Sequence, residues 1–257
     1  SLVGQGPGQP VKVEIRGGRL DLPGATFGGS SGSGTGAAIP IEVRLDRFEI
    51  TKGQELNAFS ARLSLADGVT GSFRGDLNGT GTLTGTVRPG PYGPTITATS
   101  TDAGSIVTAA GVLERASGGE LSFGLTALPE EGSYDGRVVI HDIRVQSAPA
   151  LAELLSAISV VGLIDQMTGA GGIQFSQVQG DFTLRPGKLS IRDGTAEGPS
   201  LGITLEGLYD TNAGQVDLQG VVSPVYFINA LGQVVARKGE GLFGFTYTLT
   251  GDAKSPA

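Results

Sequence analysis

The sequence predicts a mainly β protein with one or two helices packed on the strands or capping them, the apolar strand faces being buried either in a closed sandwich or barrel core or in a long, curved, antiparallel-rich sheet that forms an open trough. Three observations predict this. Apolar and polar residues alternate along most of the 257 residues, 44 glycines and 13 prolines cut that alternation into short runs, and one stretch, Leu154 to Ile164, carries no charge at all. Alternation is the period of a half-buried strand, and Gly and Pro at this density supply the backbone angles that many turns need. Hydrophobic residues make up 39% of the chain, which excludes a disordered chain of low apolar content. Aromatics are only 6% and Trp is absent, so the apolar side chains are mostly small and aliphatic, as sheet faces favour.

The net charge of −7 is spread without an acidic or basic block. Nucleic acid needs a clustered Lys/Arg surface, so that partner is not expected. Nothing favours electrostatic docking on an anionic membrane either. With no cysteine, disulfides, thiolate chemistry and Cys-type zinc sites are excluded. The polar opening SLVGQGPGQP has no start methionine and no signal-peptide pattern. It reads as an internal piece of a longer chain.

Taken in order, Val11, Val13 and Ile15 alternate with charged residues as a first strand, and the Gly/Ser-rich run 28–36 follows as a flexible loop. Ile41, Val43 and Leu45 share one parity, but Phe48 and Ile50 take the other, which predicts a bulge or break near Asp46–Arg47. Phe59, Ala61, Leu63 and Leu65 form the next strand, then Val69, Phe73 and Leu77, then Leu83 and Val87 before a turn at 89–94. These make a first β segment, 1–100. Residues 102–115 read as a helix capped by Asp102, with Ile106, Ala109, Ala110 and Leu113 at helical spacing. Leu121, Phe123 and Leu125, and then Val139, His141, Ile143 and Val145, resume the strands of a second segment, 101–257. A helix over about 149–167 follows, with Leu151, Leu154, Leu155, Ile158, Val161 and Ile164 as one stripe. It is apolar nearly all round and shorter than the about 20 residues a bilayer needs, so it is expected to be buried. The rest alternates again, with a turn or short helix at 224–232.

Candidate chemistry is sparse. His141 is the only histidine and falls on the apolar parity of Val139 and Ile143. With no Ser or Cys motif beside it, it reads as a hydrogen-bonded histidine in or beside the sheet rather than a general base. GSGTG at 32–36 lacks the Lys-Ser/Thr of a phosphate loop. GDLNGTG at 75–81 has the look of a calcium loop but lacks its ligand spacing, so it reads as a turn. Carboxylates at Glu130–Glu131 and at Asp210 and Asp217 have no third partner to suggest a cleft. Nothing argues for an enzyme or a cofactor.

The pieces STDAG (100–104), SAPALAELLSAISVVGLIDQMTGAGGIQFSQVQGDF, GPSLGITLEGLYD, VDLQGVVSPVYFINALG and FTYTLTGDAKSPA stand in an order and spacing that resemble the C-terminal region of AsmA-like envelope proteins. The nearest likeness is to the large YhdP-type members in their alphaproteobacterial form. The resemblance covers residues 60–257 and is most specific over 148–232. The family often has a Pro-containing stretch where this chain has 233–239, a departure of the sequence from the family's pattern. The resemblance implies a periplasmic segment of an inner-membrane-anchored protein reaching toward the outer membrane. A hydrophobic β groove would conduct phospholipid acyl chains between the two membranes without any cofactor. The lining would come from one parity of each strand: Phe175, Phe182, Leu184, Leu189, Ile191, Leu201, Ile203, Val216, Leu218, Phe245, Tyr247 and Leu249. The apolar helix would cap one end of the trough or dock at the outer-membrane interface; capping is preferred, because an interfacial helix has a Lys/Arg-rich polar face and this one has none. The alternative is a closed β core in a non-enzymatic structural or outer-membrane-protein assembly module, and the strand pattern fits that equally well.

Overall fold

The computed structural model describes residues 2–3, 12–21, 38–51, 53–66, 68–147, 151, 172–224 and 244–253. Among the described residues sixteen strands belong to one sheet, and its terminal strands do not meet, so it stays open rather than closing into a barrel. The first strands are short: β1 (Leu2–Val3), β2 (Lys12–Arg16) and β3 (Arg19–Asp21). Then come β4 (Ile39–Thr51), β5 (Gln54–Ala66), β6 (Gly68–Leu77), β7 (Gly81–Gly90) and β8 (Gly93–Ser100). Helix α1 (Ala103–Ala109) leads to β9 (Arg115–Ser117), β10 (Glu120–Ala127) and β11 (Tyr134–Ser147). The last are β12 (Ile173–Arg185), β13 (Lys188–Glu197), β14 (Leu201–Asp210), β15 (Gln215–Pro224) and β16 (Phe245–Asp252).

From β4 onward the sheet is an antiparallel meander in chain order, with β9 and β10 both against β11; only β2 and β3 pair in parallel, both with β4. The division expected at residue 100 falls inside this sheet, because Thr95–Ser100 of β8 pairs with Leu121–Thr126 of β10.

The parity shift expected at Asp46–Arg47 is present, and β4 runs straight through it. Leu45 faces Phe59 and Phe48 faces Leu56, while Ala58, across from the shift, takes φ 47°. The same device recurs in β11 and β12. Ile140 faces Val178, Ile143 faces Phe175, and Asp142 takes φ 57°. A local twist of this kind moves the apolar position from i+2 to i+3, so both halves of a long strand present their apolar residues to one face. The four strands concerned are 13 or 14 residues long, longer than any other strand in the sheet.

α1 is half the length the sequence suggested. Asp102 caps it, accepting from the Ser105 amide at 3.1 Å. Gly111 ends it at φ 72°, where Gly111 N–H donates to Thr108 O and Val112 N–H to Val107 O. This is the Schellman arrangement, which glycine adopts without a Cβ penalty. The remainder of the expected helix is turn and β9. The apolar helix over 149–167 lies outside the described residues except for Leu151, which packs against the core; Leu154, Leu155, Ile158, Val161 and Ile164 are among those not described. The Gly/Ser run 28–36 and residues 225–232 are likewise outside.

Candidate apolar face

Following the register from strand to strand shows that one face of the sheet is apolar from β2 to β16. Val13 faces Ile41, Ile41 faces Leu63, Ala61 faces Phe73, and Gly85 links Phe73 to Ala98. Ala98 then faces Phe123, and Phe123 faces Val138. In β12 to β16 the chain of neighbours runs from Leu184 to Leu189, Tyr209, Val216 and Gly251 along one row, and from Ile203 to Val222 and Phe245 along another. All twelve residues expected to line a groove therefore share this face. The N-terminal strands extend it with Phe48, Phe59, Phe73 and Leu125, which the alternation already marked but the predicted lining left out, and with Ile96, which lies between Val87 and Leu125.

Burial divides the face in two. Five residues at the rim next to α1 are at most 2% exposed: Ile143, Ile173, Phe175, Leu201 and Val222. Leu45, Leu56, Leu77, Leu121 and Val145 are also buried on this half, where Ala103 and Ile106 of α1 join the same cluster. Phe175 and Leu201 thus belong to a packed core rather than to any lining. At the opposite rim, formed by the hairpins after β7, β12 and β14, Leu184, Leu189, Tyr209, Val216 and Leu249 are half-buried, and Ile39 and Leu65 are exposed.

Aromatic rings lie over glycines across the strands. A Cβ on Gly136 would meet the Phe182 ring at 2.2 Å, and one on Gly85 would meet the Phe73 ring at 2.4 Å. The missing side chain lets each ring lie flat on the neighbouring strand, a recognised way to stabilise a sheet glycine. Phe182 then stacks with Phe123 at 6.0 Å, and Phe59 stacks with Phe48 at 4.5 Å and with Phe73 at 6.3 Å.

Asn78 fixes α1 in place. It sits in the β6–β7 turn at φ 46°, followed by Gly79. Its side-chain amide donates to Ala109 O at 2.7 Å, and its carbonyl accepts from Glu55 N–H at 3.0 Å. Gln54 adds a bond to Ala110 O at 3.2 Å. The GDLNGTG run is thus a hairpin turn whose asparagine also caps the helix end.

The other face is polar. Hydroxyls pair across β7 and β8, Thr86 with Thr97 at 2.8 Å and Thr84 with Thr99 at 3.3 Å. Lys12 bonds Glu42 and Glu14, which raises its pKa and lowers theirs. Arg192 pairs with Asp135 and Arg137 with Asp181. His141 is exposed here, facing Gln177 and Glu120. Its expected place on the apolar parity is wrong, because the twist at Asp142 turns Ile140 and Ile143 inward and leaves Val139 and His141 outside. A cleft of about 550 Å³ on β13–β16 is lined by Arg192, Thr204, Glu206, Gln219 and Thr248 among others. Glu206 accepts from Gln219 and Arg192 is held by Asp135, so these groups are already engaged with one another.

Between Ile203 and Glu206 the β14–β15 ladder lapses. Thr204 Oγ1 accepts from Val221 N–H at 2.9 Å, and Tyr247 OH donates to Thr204 O at 2.8 Å. Burial pushes the Tyr247 phenol up to about 12, which keeps it a donor. Among the described residues no cluster of His, Asp or Glu is arranged to hold a metal ion, and no helix is long and apolar enough to cross a membrane. Compared with protein-family models, curated proteins and solved structures, the chain matches none.

Proposed function

We propose that the half-open apolar face holds the acyl chains of phospholipids, and that the protein works as a segment of a bridge-like lipid conduit in the periplasm. The observation that carries this reading is the burial gradient on one continuous apolar face, together with sheet ends that do not close on each other. From β2 to β16 the strip is roughly 60 Å long at about 4.8 Å per strand. Its open half is about five residues deep, roughly 17 Å at 3.4 Å per residue. One leaflet of a bilayer core is about 15 Å thick, so a single tail fits that depth. A tail laid there gains about 0.8 kcal/mol for each CH₂ removed from water, and it can slide along the strip without breaking any bond. The polar face would stay in water, with headgroups at the hairpin rim. The likeness of residues 148–232 to AsmA-like proteins supports the same reading.

Native mass spectrometry with lipid extraction tests it. Protein purified from bacterial cells is expected to carry phospholipid, and Leu189→Asp, with an unchanged circular dichroism spectrum, is expected to lose it. A folded wild-type protein that is lipid-free and takes up no added phospholipid vesicle lipid contradicts the proposal.

A further inference from the structure

Across much of the polar face an arginine is set against a carboxylate, as Arg44 is with Glu42, Arg137 with Asp181 and Arg192 with Asp135. On β5 to β7 the pattern changes. Arg62, Arg74 and Arg88 are all exposed there, and among the described residues none of them bonds an acidic group. The carboxylates nearest them by register are already engaged. Glu42 faces Arg62 but holds Lys12 at 2.6 Å and Arg44 at 2.7 Å, and Asp76, two residues past Arg74, accepts from Thr82 Oγ1 at 2.7 Å. The positions between the arginines carry hydroxyls instead. Ser72 is at the centre: Arg62 faces it on β5, Arg74 follows it two residues on in β6, and Thr86 faces it on β7, with Arg88 two residues beyond Thr86. The arginines belong to three different strands, so only strand pairing gathers them.

The backbone opens a recess at the same place. β6 and β7 pair from Leu77 and Gly81 as far as Gly71 and Val87, and then part. Gly71 takes φ 153°, and Pro89, two residues past Val87, has no N–H to continue the ladder. Thr70, Ser72, Thr86 and Arg88 are among the residues that line the resulting cleft of about 490 Å³.

We infer that this cleft is an oxyanion site whose ligand is a phosphate group, seated over Ser72 on the face opposite the apolar strip. Guanidinium groups match oxyanions two bonds at a time, and hydroxyls add donors between them. A carboxylate has two oxygens, which one arginine satisfies. A phosphate monoester presents three strong acceptor oxygens and a charge of about −1.5 to −2, which calls for several arginines. Neighbouring strands lie about 4.8 Å apart and alternate residues about 7 Å apart, so the three long side chains reach a common group there. The inference does not depend on what the apolar face holds.

Titration of isotope-labelled protein with inorganic phosphate at fixed ionic strength, followed by amide resonances, tests it. Saturable shifts of the Ser72 and Thr86 amides are expected, and Arg88→Gln is expected to weaken the affinity about tenfold or more. Arg192→Gln removes the same charge from another part of the face and is expected to leave the affinity unchanged. Phosphatidylcholine vesicles with and without phosphatidic acid form a second arm, read by broadening of the same two amides. A response to inorganic phosphate supports a site that needs no lipid, and a response to phosphatidic-acid vesicles alone makes the source a headgroup. No saturable response in either arm overturns the inference, as does equal weakening by Arg88→Gln and Arg192→Gln.

Discussion

At the α1 rim, Ile143, Ile173, Leu201 and Val222 are almost wholly buried, whereas at the hairpin rim Tyr134, Leu184, Tyr209 and Val216, on the same four strands and the same face, are half-buried. Residue type does not account for the difference, since both sets are large and apolar. What differs is cover. The closed half has α1 and Leu151 lying on it and strands re-phased at Ala58 and Asp142 to keep their apolar residues inward. Among the described residues the hairpin half has only tight turns. One face therefore serves as core along one rim and as accessible apolar surface along the other.

Truncations should split along that line. Phe175→Ala and Leu201→Ala remove fully packed side chains and are expected to destabilise by about 2–5 kcal/mol. Leu184→Ala and Leu249→Ala, half-exposed already, are expected to lose about 1 kcal/mol. Urea midpoints of the four variants check this, and equal losses would erase the distinction between the halves. Gly136→Ala comes next. Its methyl must displace the Phe182 ring, at an expected cost of about 1–3 kcal/mol in the same assay. Asn78→Ala removes the bonds to Ala109 and Glu55 and should cost about 1–2 kcal/mol. Asn78→Gly keeps the turn's positive φ, so a loss shared by both variants belongs to the side chain. Faster amide exchange in α1 should accompany it.

The smallest effect is on pH dependence. Tyr247 is raised from 10.0 to about 12 in the folded state, so its contribution is whole below pH 10 and is lost as the pH climbs toward 12. Tyr247→Phe is expected to flatten that part of the stability curve. The difference in absorbance at the tyrosinate band between the two proteins measures the titration directly.

Much of this fold was legible in the sequence. The alternation of Phe59, Ala61, Leu63 and Leu65 names a strand and the face it buries, and Gly/Pro punctuation places its ends. The i, i+3 spacings Leu45/Phe48, Leu56/Phe59, Ile140/Ile143 and Phe175/Val178 were also visible. Only the first was read as a change of parity, which is why His141 was assigned to the wrong face. The length of α1 was misread because Ala109, Ala110 and Leu113 continue a helical pattern past the point where Gly111 terminates it. The division of the face into closed and open halves was not legible. It depends on which rim carries α1, and strands of the same composition meet both rims. Phe175 and Leu201 were accordingly placed with the lining although they are core.

The claim that the hairpin half is lipid-accessible is tested most directly by fluorescence quenching. A single cysteine carrying an environment-sensitive fluorophore is placed at Leu184 or Leu249 on the apolar face, or at Thr97 on the polar face, and doxyl-labelled phosphatidylcholine vesicles are added. Saturable quenching is expected at Leu184 and Leu249 and none at Thr97. Absence of quenching at the two apolar positions, or equal quenching at all three, would contradict it.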